Sequence, residues 1–238
     1  AKYGIKIFLY VNEPRAMDSD YFEISEQRQK YMGPKYNGLN SFCCSKPEVL
    51  AWLSRSMENI FTQVKGLGGV FTITASENHT SCASRNYRDC PLCSKREYSD
   101  LIADVNRAIE HGVHRASPDA KVIVWDWGWP DAECEAIISK LPKECWFMTV
   151  SEWMQQIERG GVPVSLWEYS MSVEAPSARA KRNWEYARRA GLKTVALSLD
   201  ISRRIACFSS IILSAKLSVI FFSTSSDTIT SILQSEIL

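Results

Sequence analysis

The sequence predicts an α/β chain, and within that class a (β/α)8 TIM-type barrel that is incomplete, with about six βα units present. Three observations lead there. Short apolar or β-branched runs alternate with amphipathic stretches over residues 1–200. Neither a block of helices nor a block of hairpins interrupts that alternation. No G-x-G-x-x-G or P-loop turn follows any of the runs, which argues against an open nucleotide-binding sheet and against a nucleotide cofactor.

The strand candidates are Ile5–Val11, Val70–Ala75, Val122–Trp125, Trp146–Val150, Pro163–Trp167 and Thr194–Leu199. Most are almost continuously apolar, as parallel strands covered on both sides must be. Between the first two, Ser45-Lys46-Pro47-Glu48 reads as a capping box with proline just inside a helix. Val49, Leu53, Met57, Ile60 and Val64 then recur at helical spacing, and Gly66 ends the run. Ser94-Lys95-Arg96-Glu97 repeats the capping pattern before Tyr98, Leu101, Val105 and Ile109. Further helices are predicted over 131–140 and 177–190, the second stopped by Gly191.

Composition sets the outer bounds. The chain has 238 residues, of which 45% are hydrophobic and 23% charged, an ordinary globular balance that excludes collagenous, disordered and multi-span membrane classes. With 28 basic against 27 acidic side chains, the net charge of +1 gives no electrostatic case for a nucleic-acid partner. Residues 201–238 stand apart, with 10 Ser and 8 Ile but no Gly or Pro, and read as an atypical, aberrant tail. Its apolar run Ile205–Phe222 is long enough to prompt a membrane-span reading, which Lys216 and four serines weaken. The opening on Ala1 suggests a fragment or a processed chain, so a signal peptide is not assessable. Eight cysteines, two in a Cys-x-x-Cys pair, favour a reducing, cytoplasmic setting over a disulfide scaffold.

In a (β/α) barrel the chemistry sits where strands end and βα loops begin. Those positions hold Asn12, Glu13, Pro14 and Arg15, then Ser76, Glu77, Asn78 and His79. Next come Asp126, Trp127, Gly128 and Trp129; Ser151, Glu152 and Trp153; Glu168 and Tyr169; and Asp200. Helix capping alone explains single polar residues there, but not Trp125, Trp127, Trp129, Trp153 and Trp167 beside them. Indole faces stack on the C–H face of a sugar ring while carboxylates accept from its hydroxyls. Glycoside cleavage needs one carboxylic acid to protonate the leaving oxygen and a second group at the oxocarbenium-like centre. Glu77, following a buried strand, is the expected general acid/base. Asp126 and Glu168 are the candidates for the partner carboxylate or for hydroxyl binding. Glu13, Arg15, Asn78, Trp127, Trp129, Trp167 and Tyr169 are the candidate substrate contacts.

Three stretches carry a family resemblance: GGVFTITASENHTSC from Gly68, the CPLC cluster from Cys90, and VWDWGW from Val124. With the opening YGIKIFLYVNEPRAM from Tyr3, they resemble bacterial barrel glycoside hydrolases of polysaccharide degradation. The similarity, over about residues 1–200, is to the family 20 β-N-acetylhexosaminidase-like group. That resemblance implies exo-acting release of an N-acetylhexosamine by a retaining mechanism, with the substrate acetamido group as internal nucleophile. It also implies a Glu general acid at the end of a middle strand, matching Glu77. The family pattern has Asp directly before that Glu, where this sequence has Ser76.

The cysteine pattern makes a second expectation. His79, Cys82, Cys90 and Cys93 together have the types and number for a tetrahedral structural Zn²⁺, with no cofactor needed for catalysis. A disulfide, or thiols with no ligand, are the alternatives. Two other functions remain open: a non-catalytic, inactive barrel that binds carbohydrate, and a metal-dependent hydrolase using the cysteines.

Overall fold

Five of the six expected strands lie side by side and parallel, but they do not close on themselves. The computed structural model describes residues 6–12, 14–75, 78–149, 155–166 and 177–196. In chain order the first half comprises β1 (Ile7–Val11), α1 (Ser19–Glu23), α2 (Glu26–Gln29), β2 (Met32–Tyr36), β3 (Leu39–Phe42), α3 (Pro47–Gln63), β4 (Leu67–Ile73), α4 (Cys82–Arg85) and α5 (Tyr98–Ala116). The second half comprises β5 (Lys121–Trp125), α6 (Cys134–Lys140), β6 (Trp146–Thr149), β7 (Gln155–Arg159), β8 (Val162–Leu166), α7 (Ala178–Arg189) and β9 (Lys193–Ala196). The main sheet runs β1-β4-β5-β6-β9, all parallel.

The expected barrel is therefore corrected to an α/β fold with one open five-stranded parallel sheet and two small antiparallel pairs. The physical reason lies in two turns. The run expected at 163–167 falls, as far as its described residues 163–166 go, in β8, which pairs antiparallel with β7 around Gly160-Gly161, both at positive φ (57° and 79°). Asn37-Gly38, at φ 46° and 86°, joins β2 to β3 in the same way. Two consecutive residues in the left-handed region give the turn whose twist matches a hairpin, so these segments fold back instead of crossing over. Among the described residues β1 and β9 are left as the edges of the sheet.

Side-chain alternation divides the strands between two cores. Val11, Val70, Val122, Val124 and Phe147 join the helices in one cluster, with Leu53, Met57, Leu101, Ile109 and Ile138. Phe8, Phe71, Ile73, Ile123, Trp125 and Met148 point the other way and form the second cluster. The helices thus share one side of the sheet, as a strand order without reversal and right-handed crossovers require. α3 and α5 meet closely because Gly112 carries no side chain: a Cβ there would lie 2.1 Å from the Ser54 carbonyl oxygen. Between sheet and helix, Thr72 Oγ1 donates to Asn106 Oδ1 at 2.7 Å, satisfying two polar groups that are otherwise sealed in.

Helix boundaries follow the sequence more closely than the caps do. α7 is capped by Ser177, whose hydroxyl accepts from the Ala180 amide at 2.9 Å, and the expected stop Gly191 follows at φ 75°. At α3 the capping position is Lys46, and Ser45 turns its hydroxyl to Cys93 Sγ at 3.1 Å. α5 starts at Tyr98 behind Glu97, not behind Ser94. No helix of the described residues is long and apolar enough to cross a membrane. The tail 201–238, with its apolar run, lies outside the described residues.

Candidate functional site

In a parallel sheet all carboxyl ends lie on one edge, and ligands of open α/β sheets bind outside that edge. Here the register keeps the ends level: Val11 lies beside Thr72, Ile73 beside Trp125, and Trp125 beside Met148. Asn12, Asp126 and Thr149 therefore stand along one line, with Asn78 on the loop that follows β4. Asn12 is buried and Arg15 and Asn78 are half-buried. Trp127 is partly buried and meets Trp125 edge to face, with ring centroids 5.1 Å apart. Trp129 is 4% exposed; its indole N–H points to Thr74 Oγ1 at 3.4 Å, and its ring packs in the helix-side core against Phe147.

Asp126 is fully buried and held by three donors on one oxygen. Thr149 Oγ1 donates to Oδ2 at 2.6 Å, Arg179 Nη1 at 2.9 Å and Asn183 Nδ2 at 2.9 Å. Arg179 also reaches Thr149 Oγ1 at 3.0 Å and, through Nε, Asp131 Oδ1 at 2.9 Å. Arg182 closes the group on Asp131 Oδ2 at 3.1 Å. Burial would favour the neutral Asp131 carboxyl, but Arg182 and Arg179 together outweigh it and hold the group below its ordinary value. Burial likewise opposes the Arg179 charge, and Asp126, Cys134 and Asp131 overcome that and raise its pKa. A buried ion pair is tolerated only with such complete hydrogen bonding. α7 supplies the cation and the amide from its first two turns, so this helix fastens onto the ends of β5 and β6.

A second constellation lies beside the loop after β4. The Sγ atoms of Cys43, Cys82, Cys90 and Cys93 all lie within 4.8 Å of one another, and all four residues are buried. Cys43 Sγ is 3.6 Å from Cys90 Sγ and 3.7 Å from Cys93 Sγ. No disulfide joins the seven described cysteines. The residues come from three places: the β3–α3 connection, the start of α4, and the turn at 90–93. Around the sulfurs, Ser41 Oγ is 3.3 Å from Cys82 Sγ, and Ser45 places both its hydroxyl against Cys93 and its backbone amide against Cys43.

Hydrogen bonds from Cys43, Cys44, Cys82 and Ser45 hold the Cys93 thiol far below its ordinary value against the effect of burial. At Cys43, a bond with Cys82 lowers the pKa, but the bond to Cys93 and burial outweigh it and push the thiol up to about 12. Cys82 rises through its bonds to Cys43 and Cys93 and through burial. A divalent cation would take the place of the shared protons and hold all four sulfurs as thiolates. The cluster of four buried cysteines could hold a metal ion.

His79, expected among the ligands, lies outside this group and Cys43 takes its place. The imidazole is buried beside Asn86 and meets Tyr36 edge to face at 5.6 Å; burial holds its pKa below the ordinary value. Of the expected site residues, Asp126 and Trp127 both follow β5 but face different ways, Asp126 bound by Arg179 and Asn183 of α7 and Trp127 packed on Trp125 in the second cluster, while Asn78 lies on the loop after β4. Glu13, Glu77, Trp167, Glu168 and Tyr169 lie outside the described residues, as do Ser76, Trp153 and Asp200. Cys43, Thr149, Arg179 and Asn183 were not anticipated. The Cys43-Cys44 doublet just before a proline-led helix, and an arginine in the first turn of a helix near several acids, are the signals that point to them. No protein-family model, curated protein or solved structure matches this chain.

Proposed function

We propose that the chain is a glycoside hydrolase domain acting on an oligo- or polysaccharide, with Glu77 as general acid/base. One observation supports the reading: Asp126 and Trp127 directly follow β5 at the carboxyl end of the parallel sheet, where ligands of such sheets bind, and Asn78 lies on the loop after the neighbouring β4. A partly exposed indole such as that of Trp127 suits a sugar ring, and a carboxylic acid on a loop at the same end suits the leaving oxygen. Release of N-acetylhexosamine is the form that the sequence resemblance suggests. The partner carboxylate in this reading is Glu168. Asp126, fully buried with one oxygen engaged three times, serves in this reading to fix α7 against the strand ends and does not itself touch the sugar.

A panel of nitrophenyl glycosides, including N-acetylhexosaminides, tests it on wild type and Glu77→Gln. Loss of the acid is expected to lower kcat/KM about 10²–10⁴-fold. Equal activity of the two proteins ends the assignment. A second reading, binding of carbohydrate without turnover, is favoured by the engagement of Asp126 with Arg179, which ties up one carboxylate that chemistry would use. It predicts sugar affinity unchanged by Glu77→Gln and no product from any glycoside.

We read the ion of the cysteine cluster as structural Zn²⁺. Four thiolates at Zn–S distances of about 2.3 Å stand about 3.8 Å apart at the corners of a tetrahedron. The Cys43 separations of 3.6 and 3.7 Å fit that figure. Four protein ligands leave no open position for a reactive water, so the metal would support the fold and take no part in bond cleavage.

A further inference from the structure

We infer that the ion held by Cys43, Cys82, Cys90 and Cys93 clamps the loop after β4 and the β2–β3 hairpin into one body, and so fixes the carboxyl edge in its ligand-binding form. This rests on the reading of the cluster as a zinc site and of the edge as a carbohydrate site.

Cys82 is four positions after Asn78, and the intervening chain is stitched at every step. Thr80 Oγ1 donates to the Thr74 carbonyl at 3.1 Å, and the Thr80 amide to Ser84 Oγ at 2.9 Å. Ser81 bridges to Phe42, next to the ligand Cys43. The Ala16 amide donates to the His79 carbonyl at 3.0 Å, while the next residue, Met17, exchanges backbone hydrogen bonds with Asn40 in β3. Thr74 accepts from the Trp129 indole. A continuous set of contacts thus runs from the sulfurs to the loop that follows Asp126.

What the region lacks is an anchor of its own. From Cys82 to Lys95 the described chain forms only a four-residue helix and two short 3₁₀ turns, at Tyr87–Asp89 and Cys93–Lys95. Its buried apolar residues are the three cysteines and Ala83. Turns this short do not hold themselves in water. Without an ion the cluster is joined by thiol hydrogen bonds, which are weak. Four metal–sulfur bonds would replace them and close the chain between the connection after β3 and the turn at 90–93. If the bound ion favours the loop arrangement that sugar also favours, each ligand must raise the other's affinity by the same factor.

The test uses the full chain, zinc-loaded and stripped under reducing conditions. Amide hydrogen exchange at residues 78–86 and 39–42 is expected to speed up at least tenfold on stripping, while amides near Leu53 and Ile109 stay protected. Equal exchange in the loaded and stripped forms overturns the inference and leaves the zinc reading intact. A purified chain that carries no zinc and takes none up overturns both. Because stripping can unfold the whole chain, Ser41→Ala provides a second variant: it keeps all four sulfurs, and a graded rise in exchange over 78–86 is expected. No change there counts against the clamp. N-acetylglucosamine titrated into the loaded chain reports on the edge. Binding at least tenfold weaker in the stripped chain supports the coupling, and equal binding overturns it. Absence of binding to either form refutes the carbohydrate reading, while the exchange data still decide the clamp.

Discussion

Gly33 in β2 lies against Cys82: a Cβ at Gly33 would stand 2.8 Å from the Cys82 sulfur and 2.6 Å from Ser41 Oγ. Both distances are shorter than real Cβ contacts. The missing side chain is what lets the β2–β3 hairpin cover the sulfur cluster, and Ser41 uses the proximity to donate to the Pro34 carbonyl at 3.2 Å. Gly33→Ala is expected to destabilise the chain by about 1–3 kcal/mol, the usual cost of overpacking a close contact. The urea midpoint measures this. Metal affinity, followed by competition with a chromogenic chelator, should fall in parallel, and a variant with an unchanged midpoint would remove the steric account.

The ligand set is checked by two substitutions that the sequence reading and the structure rank in opposite order. Cys43→Ser is expected to lower zinc stoichiometry or affinity sharply, because it removes one of four sulfurs. His79→Ala should retain one zinc per chain, since the imidazole packs on Tyr36 outside the cluster. Elemental analysis of both purified variants decides. A zinc-free His79→Ala with a fully loaded Cys43→Ser would restore the original ligand set.

Arg179→Met is expected to cost about 3–5 kcal/mol, the penalty for leaving a buried charge without its partner. Asp126 has no exposure, and Arg179 is its charged neighbour at 2.9 Å. Adding Asp126→Asn to the same variant should recover part of the loss, because the uncompensated charge is then gone. Urea unfolding of the single and double variants measures the difference. Full additivity of the two losses would argue against the pairing.

Asp131 links the same group to pH. Its carboxyl titrates lower in the folded chain than its ordinary 3.8, through Arg182 and Arg179. The stability it contributes is therefore fully present above about pH 4 and is lost as pH falls through the folded value. The pH dependence of the unfolding midpoint between pH 5 and 3 should be shallower in Asp131→Asn. Because Asp131 is more than half exposed, screening keeps the effect small. Parallel curves for the two proteins would exclude the linkage.

Much of the secondary structure was legible because it is local. The apolar runs that begin at 70, 122 and 146 fall in the strands Leu67–Ile73, Lys121–Trp125 and Trp146–Thr149, and the stripe Leu53, Met57, Ile60 is the buried face of α3. The closure of the sheet was not legible in the same way. It depended on whether 163–167 crosses over or turns back, and the Gly160-Gly161 and Asn37-Gly38 pairs, which settle the matter, are two-residue signals inside otherwise strand-like sequence. The edge carboxylate Asp126 could be placed from its strand. Its partners Arg179 and Asn183 lie 53 and 57 positions away and follow only from the packing of α7. Likewise three of the four sulfurs were recognisable from close spacing, and Cys43 was hidden by lying 39 positions before Cys82.

The same separation sets the order of assembly. The donors flank β4, so a growing polypeptide cannot present all of them until β4 has been made and the turn at 90–93 has emerged. A cation held by all four sulfurs would therefore be captured late, once the segments on both sides of β4 have come together. A chain whose strands were mispaired would leave its thiols dispersed, open to oxidation and without an ion, so metal content reports whether the neighbouring strands found their proper companions.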